Sequence, residues 1–264
     1  MTTNREPVSV PTYPDLAGKV AVVTGGSKGI GAATSVLLGR NGARVAVCGR
    51  DPETIERATA QTRHAGAADA ISLAADVTTP EGVARVRADV EERLGPTDIL
   101  MAFAGGFGAR TPLLESELDE WNGVIESNLT STFLTLREFA PGMVERSSGS
   151  IVTMASNAAR FLDIQLTASY AAAKAAIAML SRHAALELGP HGVRVNVLAP
   201  ATILSERVKR NMDEERLASI AEMSPLGTIG VPDDPALAAL FLASDSARWL
   251  TGVTLDVAGG RIMM

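Results

Sequence analysis

The chain contains two tyrosines, and one of them, Tyr170, stands four residues before one of only four lysines in Tyr170-Ala171-Ala172-Ala173-Lys174. On a helix the two side chains share one face. A tyrosine in water has a pKa of about 10 and is a poor proton shuttle at neutral pH; a fixed ammonium beside it favours the phenolate and brings its titration toward the working range. This is acid/base chemistry for a carbonyl/alcohol couple. Ser156 follows an apolar run, where its hydroxyl could hydrogen-bond a substrate oxygen as charge develops there, or could cap a turn.

A second constellation is Thr24-Gly25-Gly26-Ser27-Lys28-Gly29-Ile30-Gly31, between an apolar run and the helical pattern of residues 32–41. Strand, glycine turn and helix in that order make a phosphate cradle. Gly25 permits the tight turn, Gly29 and Gly31 let a pyrophosphate approach the backbone and the helix pack on the strand, and the free N–H groups at the helix start attract the charge. Chance would yield this spacing only about 0.015 times in such a composition, so the loop is expected to hold a dinucleotide. Asp76, with Val77 beside it, is the carboxylate expected near the adenine ring.

The end of the second strand selects the cofactor, because an acidic residue there binds the ribose 2′-hydroxyl and a basic one accommodates a 2′-phosphate. The order here is Cys48-Gly49-Arg50-Asp51, with Gly49 at the acidic position. Arg50 and Lys28 could both face a phosphate, which favours NADP (NADPH) over NAD. In the alternative, Arg50 is solvated and Asp51 meets the ribose, as NAD would require.

These residues need a frame, and the hydropathy pattern supplies one. Short apolar runs at residues 20–24, 45–48, 70–75, 99–104, 150–154, 193–198 and 253–257 alternate with segments of helical length. The runs are apolar continuously, as in strands covered on both faces. The expected fold is therefore α/β, a single-domain Rossmann fold with a doubly wound seven-stranded parallel sheet and helices on both faces. Residues 1–15 read as an N-terminal tail and 16–264 as a dinucleotide-binding catalytic domain, with 203–228 as a substrate lid. Helices should open at Pro52, at Pro80 behind Thr79, and near Thr167, the last ending at Gly189-Pro190.

Composition narrows the function further. With 24 Lys+Arg against 30 Asp+Glu, the net charge of −6 argues against a nucleic-acid surface, and the one basic cluster is Arg207, Lys209 and Arg210. Cys48 is the lone cysteine, and His64, His183 and His191 are too scattered for a metal site. The longest uncharged stretch, residues 147–159, is too short and polar to span a membrane. Without a secretory signal at the N-terminus, a cytoplasmic location is expected.

Taken together, the glycine loop and the Tyr/Lys pair resemble the short-chain dehydrogenase/reductase family, in its shorter branch with T-G-x-x-x-G-x-G and Y-x-x-x-K, and within it the 3-oxoacyl reductases. The resemblance covers nearly everything after residue 16 and implies hydride transfer between a nicotinamide and a carbonyl carbon. It implies that Tyr170 protonates the oxygen, Ser156 positions it, Lys174 holds the nicotinamide ribose and Asn128 anchors a water leading to Lys174. It further implies cofactor contacts from Ala104, Gly105, Pro200, Ile203 and Ser205, and a homotetramer built on the long helices around Asn128 and Tyr170. Three departures stand out. Ala102-Phe103 replaces the family's usual Asn-Asn, so hydrogen bonds steadying the fourth strand must come from elsewhere; Ala201 replaces a usual Gly; and Ser147 and His191 stand where carrier-dependent reductases have basic docking residues.

The expected function is an NADP(H)-dependent oxidoreductase acting on a small-molecule carbonyl/alcohol pair, a medium-sized apolar ketone or 3-oxoacyl-type compound. Its pocket draws on residues 105–111, 157–166 and 203–223, where Phe107, Phe161, Leu162, Ile164, Leu166, Ile203 and Leu204 are apolar and Arg110, Arg160 and Asp163 charged. The alternative is a non-catalytic dinucleotide-binding scaffold or sensor, which has no need of the Asn, Ser, Tyr and Lys set.

Overall fold

The computed structural model describes residues 10–160 and 167–263. Seven parallel strands, β1 (Val20–Thr24), β2 (Arg44–Gly49), β3 (Asp69–Ala74), β4 (Ile99–Ala102), β5 (Gly149–Met154), β6 (Val193–Pro200) and β7 (Thr254–Val257), form one sheet in the order 3-2-1-4-5-6-7. The order reverses between β1 and β4, the switch point where such sheets open a crevice at their carboxyl ends.

Side-chain alternation divides the core between the two faces. Val20 and Val22 of β1 pack with Phe139 and Met143, whereas Ala21 and Val23 pack on the other side with Leu37, Ile55 and Leu240. The first face is covered by α3 (Pro80–Arg93), α5 (Ser131–Glu145) and α6 (Ala168–Leu188), the second by α1 (Gly29–Arg40), α2 (Pro52–His64) and α9 (Asp233–Ala243). Every residue of β1 is buried, the expected result for a strand with two covered faces.

The helix starts follow local chemistry. Asp51 accepts the Glu53 and Thr54 N–H groups ahead of Pro52, Thr79 accepts that of Gly82, and Thr167 accepts that of Tyr170. Two strand ends differ from the sequence expectation by two residues, and the others agree within one. β4 stops at Ala102 because the Phe103 N–H bonds back to the Met101 carbonyl (3.1 Å) and to the Thr24 hydroxyl (3.1 Å), which takes the chain off the ladder. β6 runs on to Pro200, paired with Val257.

The remaining helices lie over the carboxyl ends of the strands. α4 (Leu118–Ile125) joins α5 through a single π turn, Glu126–Thr130, and α7 (Glu206–Asn211) and α8 (Glu214–Glu222) occupy the stretch expected to form a lid. Among the described residues no helix is long and apolar enough to cross a membrane.

Candidate active site

The glycine loop is closed by backbone contact. A Cβ on Gly31 would stand 2.2 Å from the Gly25 carbonyl oxygen, and one on Gly25, at φ +67°, would stand 2.8 Å from the Phe103 carbonyl. Only glycine permits that closeness. At Gly29 a Cβ would meet nothing nearer than Ser205 Cβ at 3.8 Å, so a hollow opens there over the start of α1. No side chain caps that helix and no acidic residue sits in its first turn, which leaves its N–H groups for an anion. The cradle fits a dinucleotide pyrophosphate, and Ser205, itself the N-cap of α7, borders it.

Beyond the cradle, the carboxyl ends of β2 and β3 carry charges of both signs. Lys28 Nζ lies 3.7 Å from Asp51 Oδ2, while Asp51 Oδ1 is taken up by the start of α2. Those backbone N–H bonds and the Lys28 ammonium together hold the Asp51 carboxyl below its ordinary range, against a desolvation cost that acts the other way. Asp76 is also pulled low, first by the Thr78 N–H and hydroxyl at 2.9 and 2.8 Å and more weakly by the Arg50 charge. Gly49 has no room for an acidic side chain without a shift, since a Cβ there would stand 3.1 Å from Ser27 Oγ and 3.2 Å from Ile55. Ile30 packs against the core on this side, and Val77 is buried beneath Asp76.

At the end of β5 and on α6, the structure brings together Ser156, Tyr170 and Lys174, all buried. Ser156 Oγ accepts the Ala158 N–H (3.2 Å), so it does cap a turn, and its hydroxyl favours the Tyr170 phenolate. Lys174 Nζ donates to the Met154 carbonyl at 2.8 Å and lies 5.5 Å from the centre of the Tyr170 ring. The electrostatics differ from the sequence expectation. Burial pushes Lys174 down to about 7 and raises the Tyr170 pKa, and the groups that pull Tyr170 back are the Ser156 hydroxyl and the Arg207 guanidinium. Desolvation dominates because both groups are buried.

Asn128 lies in the π turn, the kind of helix irregularity that often accompanies functional sites. Its Oδ1 accepts the Gly106 N–H at 3.1 Å, and its Nδ2 donates to the Gly106 carbonyl at 3.0 Å and the Val124 carbonyl at 2.9 Å. This pairing, with Thr24 Oγ1 accepting from Phe103 and Ala104, supplies the hydrogen bonds that Ala102 and Phe103 cannot make. Gly105, at φ +137°, has its Cα edge against Asn128: a Cβ would approach Oδ1 to 2.4 Å. Ala201 needs no glycine, for its N–H pairs with the Val257 carbonyl at 3.2 Å and its φ is negative.

Toward the mouth, Phe107 stacks on the Tyr170 ring with centroids 4.1 Å apart. Ser156 Oγ is also 3.4 Å from the Pro200 carbonyl, and Ile203 is buried and bridged to Gly230. Arg160 is tied to Asp256 of β7, which removes its charge from the pocket. Phe161, Leu162, Asp163, Ile164 and Leu166 lie outside the described residues. The sequence reading did not single out Thr24 as a replacement partner or Arg207 as a neighbour of Tyr170; the first was legible only as a motif letter, the second only as part of a basic cluster. A cavity of about 470 Å³ at the opposite ends of the strands, between Lys19, Asp98 and Trp249, shares no residue with this cluster. Among the described residues no group of His, Cys, Asp or Glu side chains is arranged to hold a metal ion.

Comparison with known proteins agrees with this architecture. A family model described as enoyl-(acyl carrier protein) reductase matches residues 25–261. The 3-oxoacyl-[acyl-carrier-protein] reductase FabG of Vibrio cholerae is 35% identical over 255 residues, covering 95% of this chain and all of that protein. The 3beta-hydroxysteroid dehydrogenase 1 of Eggerthella lenta is 34% identical, covering 94% and 95%. The crystal structure of a 3-oxoacyl-[acyl-carrier protein] reductase with bound NAD from Brucella melitensis superposes with a TM-score of 0.90 at 31% identity, covering all of this chain and 98% of that one. With the glycine cradle and the buried Ser/Tyr/Lys cluster on one seven-stranded sheet, the chain belongs to the short-chain dehydrogenase/reductase family, nicotinamide-dependent oxidoreductases of the CH–OH/C=O couple.

Proposed function

We propose that the protein is an NADP(H)-dependent reductase or dehydrogenase of a medium-sized, largely apolar ketone or 3-oxoacyl-type compound and its alcohol. The observation that carries the reading is that Ser156, Tyr170 and Lys174 are buried together, with the Lys174 Nζ 5.5 Å from the centre of the Tyr170 ring. When bound, the nicotinamide supplies or accepts the hydride. Tyr170 gives its phenolic proton to the carbonyl oxygen, or takes it from the alcohol, and Ser156 holds that oxygen by its hydroxyl. Lys174 orients the nicotinamide ribose, and a proton lost from Tyr170 is restored along a path that Asn128 and Lys174 border.

Gly25, Ser27, Lys28, Gly29, Ile30 and Gly31 hold the pyrophosphate, Asp76 and Val77 flank the adenine, and Ala104, Gly105, Pro200, Ile203 and Ser205 line the nicotinamide end. Arg50 and Lys28 receive the 2′-phosphate. The tight packing of Ser27 and Ile55 around Gly49 and the prior use of Asp51 as a helix cap support NADP; the NAD bound to the Brucella melitensis protein favours the second reading, NAD. Residues 203–228 act as the substrate lid of a catalytic domain that begins at residue 16. Exposed Phe133 on α5, with Met179 and Leu186 on α6, supports a homotetramer through those helices, and the acidic charge balance supports an enzyme with no nucleic-acid partner.

The test is absorbance at 340 nm with NADPH and then NADH against ketones, diketones and 3-oxoacyl thioesters, with Tyr170→Phe as control. Turnover that requires Tyr170 and prefers NADPH is expected. Turnover indifferent to Tyr170 removes the assigned chemistry, and equal use of the two cofactors removes the NADP assignment.

A further inference from the structure

The densest basic cluster of this acidic chain, Arg207, Lys209 and Arg210, is carried on α7 directly over the site. Arg210 turns back to the Glu206 carbonyl at 3.3 Å. Arg207 reaches the other way, and its Nη1 lies 3.6 Å from where a Cβ on Gly106 would stand. Gly106 is the residue whose N–H and carbonyl are both held by Asn128, and its neighbour Phe107 lies on the Tyr170 ring. The guanidinium therefore lies beside the Gly106–Phe107 loop that packs on Tyr170, and its charge is felt at the phenol. Of the other cations around the cleft, Arg160 is matched by Asp256 and Lys28 by Asp51. Among the described residues no hydrogen bond or ion pair holds the Arg207 guanidinium.

We propose that Arg207 is a specificity-determining residue that receives a carboxylate of the substrate, so that the enzyme acts on amphipathic oxo acids and their hydroxy acids, with the apolar body along Phe107 and the acid end under α7. The proposal rests on the function given above. A guanidinium offers a carboxylate two parallel N–H donors, a match that an ammonium cannot copy, and the contact strengthens as the lid and substrate exclude water. It also resolves a conflict. A carboxylate beside Tyr170 would oppose the phenolate formed when the proton is given up, and a cation between them removes that repulsion. Lys209 and Arg210 add a local positive field that draws anions toward the mouth of a protein whose net charge repels them.

The experiment titrates hexanoate and the neutral hexanamide by calorimetry into the wild-type protein, Arg207→Gln and Arg207→Lys, each with and without NADP⁺. The expected result is that hexanoate binds about 10-fold or more tighter than hexanamide to the wild type, that Arg207→Gln abolishes the difference and that Arg207→Lys retains part of it. Hexanoate binding that is absent, matched by hexanamide or indifferent to Arg207→Gln overturns the inference. A parallel assay at 340 nm compares 4-oxohexanoate with its methyl ester. A kcat/KM ratio favouring the acid by about 10-fold, collapsing in Arg207→Gln, is expected. Turnover of both without preference overturns the carboxylate assignment and leaves the reductase standing; hexanoate selectivity that depends on Arg207, with neither compound reduced, overturns the reductase reading and its oxo-acid substrates together and leaves only an anion site.

Discussion

Around Gly25, Gly29 and Gly31 the close approaches are between backbone atoms, and the one side chain that borders the hollow is Ser205. Around Tyr170 the contacts are made by side chains: Phe107 and Ser156 come from distant loops, Lys174 from the next turn of the same helix, and the Arg207 charge from α7. The first region is rigid because a turn, a strand end and a helix start constrain one another over eight residues. The second is adjustable, since each contact can change when one side chain does. The comparison teaches why one fold can keep its cofactor and change its substrate: the two ends of the cleft are held by different kinds of contact.

The sharpest break in that comparison comes from Tyr170→Phe. It removes one hydroxyl from the adjustable end and should lower kcat by about 10²- to 10⁴-fold while dinucleotide binding, read by fluorescence titration, is retained. Loss of binding together with turnover would mean that the two ends are not separable. The next largest effect is expected from Gly31→Ala at the rigid end, where the added methyl meets the Gly25 carbonyl at 2.2 Å. The backbone must move, at a cost of about 3 kcal/mol in denaturant unfolding, with dinucleotide affinity lost in parallel; a variant with wild-type stability and affinity would show that the loop has slack.

Lys174 sharpens the contrast through pH. Its folded pKa of about 7 lies below the ordinary lysine value, so between the two the unfolded chain holds a proton that the folded chain does not. Stability of the cofactor-free protein should therefore rise as pH increases from about 7 to about 9.5, by at most about 1.4 kcal/mol per unit. Tyr170, raised by burial, titrates above that window. Lys174→Met should lack the rise in urea melts at pH 7, 8 and 9; an identical rise in the variant would assign it to another group. The smallest effect is expected at the outer rim, where Arg50→Ala should weaken NADPH about 10-fold more than NADH by the loss of one charge-assisted contact. Equal weakening would mean that Arg50 does not touch the 2′-phosphate.

Much of this was legible beforehand, because the relevant signals are local. The strand runs, the helix starts at Pro52, Pro80 and Thr167, and the glycine loop each depend on residues a few positions apart. Strand ends were less so: β4 stops early because of a hydroxyl on Thr24, some eighty positions away, and no pattern around Phe103 announces it. The Tyr170–Lys174 spacing indicated that the two side chains share a helix face, yet it did not foretell that burial would lower the pKa of the lysine and raise that of the phenol.

What the sequence by itself determined is the doubly wound sheet, the phosphate cradle and the Tyr/Lys pair, because periodicity, glycine spacing and i to i+4 geometry operate within one element or one turn. The tertiary structure alone decided that Asn128 would hold Gly106, that Thr24 would do the work of the missing asparagines, that Arg160 would be consumed by Asp256, and that the Arg207 charge would be felt at Tyr170. Those pairings join residues twenty to nearly a hundred positions apart, and their distances and desolvation exist only once the sheet and its covering helices have closed around them.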